Sequence, residues 1–302
     1  VERILVVTNA AAGTNEQQAV DSAVAVLREA TEVEVAATST PDELDEVLSG
    51  LDDHWVVAVG GDGTLHALVN ALWRNRLLGS TTLGLIPLGT GNDFARGLQI
   101  PLDPEEAARL VIAGNSVDTD LIVDDEDLVI VNNVHLGVGA QASRKAEKWK
   151  PRFGKLGVGR VGYAVGALSA GLQPRFLKVE VEVDGVRLEG RELTKGRSVA
   201  QVAIGNGSHV GGGTELIPGA DPTSGRLVVI VSRNRSIWSR LSYLARLRVG
   251  SHHLMREVTQ VTGTEVRVRG EEFYCVADGE ISGPHTEKSW QLRRGAVALL
   301  RP

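Results

Sequence analysis

The chain has 302 residues, long for one hydrophobic core, and its length points to about two domains with a cleft between them. Its 32 Lys and Arg against 38 Asp and Glu leave a net charge of −6, which excludes wholesale nucleic-acid binding and confines any basic surface to a patch. The one cysteine, Cys275, excludes an internal disulfide, no thiol and imidazole cluster offers a zinc site, and the cytosol is the expected compartment.

Val1 to Thr8 is a short apolar run containing Glu2 and Arg3, and reads as a first strand rather than a targeting segment. Further strands are expected at Val33–Ala37, Trp55–Val59 and Leu83–Pro87. Helices are expected to start at Thr40-Pro41-Asp42-Glu43 and Asp103-Pro104-Glu105-Glu106, each with a capping residue, Pro at N1 and Glu at N3. This alternation implies an α/β domain with a mostly parallel sheet. After about Asp118 the pattern changes. Leu177–Val183 alternates apolar and polar residues and closes in an Asp184-Gly185 turn, which implies antiparallel sheet. Strands are also expected at Val199–Ile204, Leu227–Val231, Val266–Arg269, Glu272–Ala277 and Ala296–Leu300, with a helix near Ile237–Val249. The boundaries read from this are 1–118 and 119–302, with the last strand able to return to the first domain. Val161–Leu172, the longest weakly polar stretch, is too short and Gly-rich for a bilayer span of about 20 residues, so no transmembrane segment is expected.

The most informative segment is the strand Trp55–Val59 followed by Gly60-Gly61-Asp62-Gly63-Thr64 and an apolar-periodic run through Leu65, Leu68, Val69 and Leu72. A glycine turn at a helix N-terminus presents backbone N–H groups and the positive dipole end to a phosphate. Asp62 points further, because a carboxylate about 4 Å from a phosphate is repelled by roughly 4 kcal/mol at an effective dielectric near 20. A bridging Mg²⁺ reverses that sign. Taken alone, the segment also reads as a glycine turn with a capping Asp. A second turn, Leu88-Gly89-Thr90-Gly91-Asn92-Asp93, ends the next strand, so both would line one crevice at the carboxyl ends of the strands. Asn92 and Asp93 could touch ligand or cap the next helix.

Together these motifs resemble the diacylglycerol kinase family of lipid kinases, particularly its soluble bacterial members. Gly60–Thr64 corresponds to the family's GGDGT and Gly89–Arg96 to its GTGNDFAR. Asn206 with Gly211-Gly212-Gly213 and Pro218-Gly219-Ala220 is similar to its second-domain pattern, and Asp278-Gly279-Glu280 is a fourth match. The resemblance implies an N-terminal nucleotide-binding α/β domain, a C-terminal β-sandwich, and transfer of the γ-phosphoryl of ATP to a lipid hydroxyl at a membrane surface, with ATP in the cleft. It implies that Asn9, Thr38, Gly60, Gly61, Asp62, Gly63, Thr64, Gly89, Thr90, Asn92 and Asp93 bind nucleotide and that Asp62 holds Mg²⁺. Glu280 is then the general base, with Asp278 the second choice. Asp278-Gly279-Glu280 is equally an ordinary hairpin turn. Diacylglycerol is the first acceptor it suggests; sphingoid bases, ceramide and NAD are alternatives, as is a non-catalytic nucleotide- or lipid-binding module. A homodimer and a peripheral position at the inner membrane surface also fit it.

Two segments depart from the family pattern. Asn9-Ala10-Ala11-Ala12-Gly13-Thr14 stands where the family has Asn-Pro-x-Ser-Gly, losing a hydroxyl and the following lysine. In Asp221-Pro222-Thr223-Ser224-Gly225 a Ser replaces the Asp that precedes the glycine, leaving Asp221 as a thin candidate for a structural Mg²⁺. Gly137-Val138-Gly139-Ala140-Gln141-Ala142 fits dinucleotide spacing without the later acidic residue and reads as a packing turn; no P-loop is present. Two basic stretches carry aromatics: Arg144–Arg160, with Lys145, Lys148, Lys150, Arg152, Lys155, Trp149 and Phe153, and Arg233–Arg248, with Arg235, Arg240, Arg246 and Trp238. Either suits an anionic membrane surface or a solvated helix face.

Overall fold

The computed structural model describes residues 3–11, 13–51, 54–138, 140, 176–188, 198–234 and 236–302. Outside them lie Val1, Glu2, Ala12, Arg235, the residues Gly139, Gln141 and Ala142 of the glycine-rich turn, and all of the stretches 144–160 and 161–172. The chain divides into two units, Val1–Leu121 with Arg293–Pro302, and Ile122–Leu292.

The first unit alternates β1 (Arg3–Asn9), α1 (Thr14–Arg28), β2 (Glu32–Thr38), α2 (Pro41–Ser49), β3 (Trp55–Gly60), α3 (Asp62–Arg74), β4 (Thr82–Pro87), α4 (Asp93–Gly97) and α5 (Pro104–Ala113). The strands form a parallel ladder in the order β2-β1-β3-β4, and Ala298 and Leu299 near the chain's end extend it in parallel beside β4. Apolar strand residues such as Ile4, Val6, Val57, Val59 and Ile86 are buried with Val20 and Leu27 of α1 and Ala107 and Val111 of α5. β1, β3 and β4 are therefore apolar runs without alternation, as strands covered on both faces require, whereas the edge strand β2 has Glu32 and Glu34 and no buried residue. Helix starts follow their capping residues: Thr40 Oγ1 accepts from Glu43 N, and Asp103 Oδ1 accepts from Glu105 N and Glu106 N. Because the strands are parallel, Asn9, Thr38, Gly60 and Pro87 end them on one edge.

The second unit is mostly antiparallel. Its strands are the end of β5 (Ser116–Asp124), β6 (Val129–Ile130), β7 (Asn133–Gly137), β8 (Leu177–Val183), β9 (Val186–Arg187), β10 (Ser198–Val199), β11 (Gln201–Gly205), β12 (His209–Val210), β13 (Thr214–Glu215), β14 (Leu227–Ser232), β15 (Val258–Gly263), β16 (Glu265–Ala277) and the larger part of β17 (Glu280–Leu300), with α6 (Ile237–Leu247) after β14. The ladder runs β15-β14-β11-β7-β16, and β16 also pairs with β8 and β17. The side chains of β8 alternate buried and exposed before a turn in which Asp184 and Gly185 both have positive φ.

Two features differ from the sequence reading. Val266–Arg269 and Glu272–Ala277 form one strand, β16, with its register shifted between Arg269 and Phe273; at Gly270 a Cβ would collide with the carbonyl of Lys178. Glu280–Arg294, too polar to signal a strand, is one because β16 supplies its hydrogen bonds.

Within β17, Lys288 is 2% exposed, and its Nζ lies 2.9 Å from Asp124 Oδ2, 3.1 Å from Asp125 Oδ1 and 2.8 Å from Glu126 Oε2. Burial works against its charge, but the hydrogen bonds to Glu126, Asp124 and Asp125 outweigh it and hold its pKa above the usual lysine value. The Lys288 hydrogen bond likewise holds the Glu126 carboxyl below its ordinary range. Lys288→Met leaves a buried carboxylate unneutralised and is expected to destabilise the fold by about 3–5 kcal/mol, read as a lower urea midpoint at unchanged slope.

His135 of β7 is buried, and desolvation depresses its pKa to about 4 against the opposing charge of Asp278. The unfolded chain therefore takes up a proton below about pH 6.5 that the folded chain refuses. Stability present above that pH is expected to decline by about 3 kcal/mol as the pH falls towards 4. Urea titrations across this range should show a shallower decline for His135→Gln.

Candidate active site

Gly60 ends β3 and Gly61 is the N-cap of α3, with no side chain to occupy the helix N-terminus; its carbonyl accepts from Thr64 N at 3.0 Å and Leu65 N at 3.2 Å. The second turn leaves β4 beside it, and Leu88 N donates to Gly60 O at 2.8 Å. A Cβ on Gly61 would lie 3.0 Å from Gly89 Cα, and one on Gly89 would lie 2.5 Å from Gly61 Cα. The turns thus meet backbone to backbone; Gly89 has no room for a side chain, and a Cβ at Gly61 needs its neighbour to give by a few tenths of an ångström. Gly63 and Thr90 are exposed, while Thr64 is half-buried against Gly60.

Asp62, at the first position of α3, reaches across to the second turn: Oδ2 accepts from Asp93 N at 3.2 Å and Oδ1 from Phe94 N at 3.4 Å. Both bonds are longer than the usual 2.9–3.0 Å or so. Asp62 therefore satisfies the first N–H groups of α4, a part that Asn92 does not take. Asn92 is buried with φ 52°, and its Nδ2 donates to Gly89 O at 2.7 Å, while Arg96 Nε donates to Gly91 O at 2.9 Å. The loop is thus pinned from inside, with its outer face open. At the other end of the edge, Asn9 and Thr38 are register neighbours; Asn9 Oδ1 accepts from Ala11 N at 2.9 Å, and Ala10 N donates to Thr38 O at 3.1 Å.

The donor set suits a hard divalent cation. The point where a Cβ on Gly91 would stand is 2.9 Å from Asp62 Oδ2 and 3.4 Å from Asp93 Oδ2, so both carboxylates border the same glycine. Mg²⁺ is commonly held by one or two carboxylates, with phosphate and water completing its shell. Asp221 is different: Oδ1 accepts from Thr223 N at 2.9 Å and Thr223 Oγ1 at 2.8 Å, closing its own exposed turn. Among the described residues no three His, Cys, Asp or Glu side chains gather at metal-binding distances, so Asp221 has no carboxylate cluster around it.

In the second unit, Asp278 (φ 47°) and Gly279 (φ 97°) form the two-residue turn between β16 and β17. The Asp278 carboxylate accepts from Val131 N at 2.6 Å, Asn132 N at 2.9 Å and Asn133 N at 3.1 Å. Three backbone donors make it an anchor for the 131–133 segment, whereas Glu280 is exposed. Asn206 joins the same segment, donating from Nδ2 to Val131 O at 2.8 Å and from its backbone N to Asn132 O at 2.9 Å. The triplet Gly211-Gly212-Gly213 has φ values of 64°, 88° and 107°, a run of left-handed residues that side chains would strain. Asn132 and Asn133 escaped the sequence reading; both donate from Nδ2 to His209 O, at 3.0 and 3.1 Å, and their only sequence signal is the Asn-Asn pair ahead of β7.

Residues 3–123 match the diacylglycerol kinase catalytic domain, and residues 132–301 match the YegS C-terminal NAD kinase beta sandwich-like domain. The chain belongs to the YegS-type family. Among named YegS-type relatives, a probable lipid kinase YegS-like of Serratia proteamaculans (strain 568) is 33% identical over 165 residues, covering 55% of this chain and 50% of the relative. A probable lipid kinase YegS of Escherichia fergusonii is 32% identical over 167 residues, covering 55% and 52%. The chain thus spans about half the length of the curated relatives it matches. The fold is also that of a solved structure titled a diacylglycerol kinase from Bacillus anthracis str. Sterne, with a TM-score of 0.76 and 22% identity over 100% of this chain and 97% of that one.

The glycine contact yields a paired test. Gly89→Ala must push the two turns apart and is expected to cost about 1–3 kcal/mol and to weaken nucleotide binding. Gly63→Ala meets nothing within 4 Å and should keep the parent melting temperature. Thermal melts and nucleotide titrations on the two variants check this.

Proposed function

We propose that this chain is an ATP- and Mg²⁺-dependent lipid kinase that transfers the γ-phosphoryl group to the hydroxyl of diacylglycerol, giving phosphatidic acid. The observation that carries the reading is the contact of the Gly60–Thr64 and Gly89–Asp93 turns at the carboxyl edge of a parallel sheet, with the Asp62 carboxylate at their junction. Edges of this kind collect nucleotide phosphates, and a carboxylate beside a bound phosphate is repelled unless a cation lies between them. Relatives named probable lipid kinases support a lipid as the acceptor, and diacylglycerol is the first lipid that the motifs suggest.

In this reading the N-terminus of α3 and the glycine turns hold the phosphates, with Thr90, Asn9 and Thr38 along the same edge. Asp62, with Asp93 beside it, holds Mg²⁺, which when bound neutralises charge on the phosphate oxygens. Glu280 accepts the proton of the acceptor hydroxyl as its oxygen attacks the γ-phosphorus; the new O–P bond forms, the bond to the β,γ-bridging oxygen breaks, and ADP leaves. Asp278 is a positioning residue, because its carboxylate is engaged by three backbone N–H groups. A lipid acceptor sets the enzyme at a membrane surface, and the inner face of the cell membrane is the proposed location.

The test is phosphoryl transfer from labelled ATP with Mg²⁺ to diacylglycerol, sphingosine, ceramide or NAD, with Asp62→Ala and Glu280→Ala in parallel. Product from diacylglycerol is expected, with both variants reduced by about 10²-fold or more in kcat. Absence of product from every acceptor removes the kinase reading, and full activity in both variants removes the site assignment.

A further inference from the structure

The helix α6 has two apolar faces, and among the described residues only one is covered. Tyr243 and Leu247, one turn apart, pack against the sheet with Leu216, Ile217, Val228 and Ile230, and Tyr243 meets His252 edge-on at 5.1 Å between ring centroids. Ser236 caps the helix, its Oγ accepting from Ser239 N at 3.0 Å. The opposite stripe, at helical spacing, contains Trp238, Leu241 and Ala245 and runs on to Val249 just past the helix. Trp238 is 78%, Leu241 41% and Val249 75% exposed. Beside this stripe lies a groove of about 790 Å³, with Leu241, Leu244, Leu247 and Val249 on one wall and His209 and Glu215 on the other.

Charge in this segment runs against the rest of the chain. Between Arg233 and Arg256 the sequence has six arginines and no Asp or Glu, although the whole chain carries −6. Arg246, Arg248 and Arg256 are exposed. A large exposed Trp beside aliphatic residues and arginines is unfavourable in water and suited to the headgroup boundary, where the ring is partly desolvated and the guanidinium groups meet phosphates. A second copy of the chain on this face would bring two arginine clusters together, whereas anionic headgroups neutralise one.

We infer that α6 and the segment after it dock the protein on an anionic bilayer, with Trp238, Leu241 and Val249 entering the headgroup boundary and Arg246 and Arg248 held by lipid phosphates. The choice of a lipid surface as occupant rests on the lipid-acceptor reading above. Docking through α6 sets the second unit on the membrane without a spanning segment; among the described residues no helix is long and apolar enough to cross.

The full chain without nucleotide is sedimented with vesicles of phosphatidylcholine alone or mixed with phosphatidylglycerol, at low and high salt. Binding to the mixed vesicles that weakens with salt is expected. Arg246→Glu with Arg248→Glu should lower partitioning by about ten-fold or more, and Trp238→Ala with Leu241→Ala should lower it at an unchanged melting temperature. Equal binding by parent and both double variants, or equal binding to neutral vesicles, overturns the inference. So does a parent dimer that Trp238→Ala with Leu241→Ala turns into a monomer with vesicle binding intact. Phosphorylation of diacylglycerol in detergent micelles, measured separately, keeps the two proposals apart. A chain active on micelles yet indifferent to anionic vesicles overturns docking alone, whereas one that docks through α6 yet phosphorylates no lipid overturns the kinase reading alone.

Discussion

Where Gly61 meets Gly89, two chain segments leave neighbouring parallel strands at the same edge and pass at backbone distance. Adjacent strands are only about 4.8 Å apart, so turns that both fold back over the edge are forced together. A Cβ on Gly89, 2.5 Å from Gly61 Cα, would separate them. With the turns in contact, Asp62 reaches the first N–H groups of α4, and the N-terminus of α3 is left with a glycine cap. Helix dipole, glycine and carboxylate are thereby gathered by one steric condition, and the proposed phosphate and Mg²⁺ chemistry depends on it.

The second unit uses a carboxylate differently. Asp278 gathers three backbone N–H groups from residues 131–133, and Asn206 grips the same segment from the other side. Two motif positions far apart in sequence thus serve one short segment. Asp278 and Glu280 stand two residues apart, yet one is engaged by the fold and the other is exposed. The proposed catalytic residue and the structural anchor differ here in hydrogen bonding alone, since both offer the same chemical group.

Charge is also divided within this unit. Lys288 is buried beside Asp124, Asp125 and Glu126, where hydrogen bonds offset desolvation, whereas Arg246, Arg248 and Arg256 are exposed, in a segment from Arg233 to Arg256 that has no acidic residue. A net charge of −6 hides both arrangements. An ion cluster built on the buried Lys288–Asp124 pair ties β17 to the β5–β6 turn, while an exposed basic patch is available to a partner of opposite sign.

The amino-acid sequence by itself determined the elements whose signals are local. The four strands of the first unit, the capped starts at Thr40 and Asp103, the alternation of β8 and the two glycine turns were legible because each is set by side chains within a few residues. The polar strand β17, the single bent β16 and the anchoring of residues 131–133 were not, because their hydrogen bonds come from partners more than a hundred residues away or from a neighbouring strand. The same holds for the site. The residues of Gly60–Thr64 and Gly89–Asp93 were legible as phosphate-binding types, but whether Asp62 capped its own helix or another, and which of Asp278 and Glu280 the fold engages, was decided only by tertiary structure. A carboxylate's part depends on which N–H groups reach it, and chain folding alone brings them there.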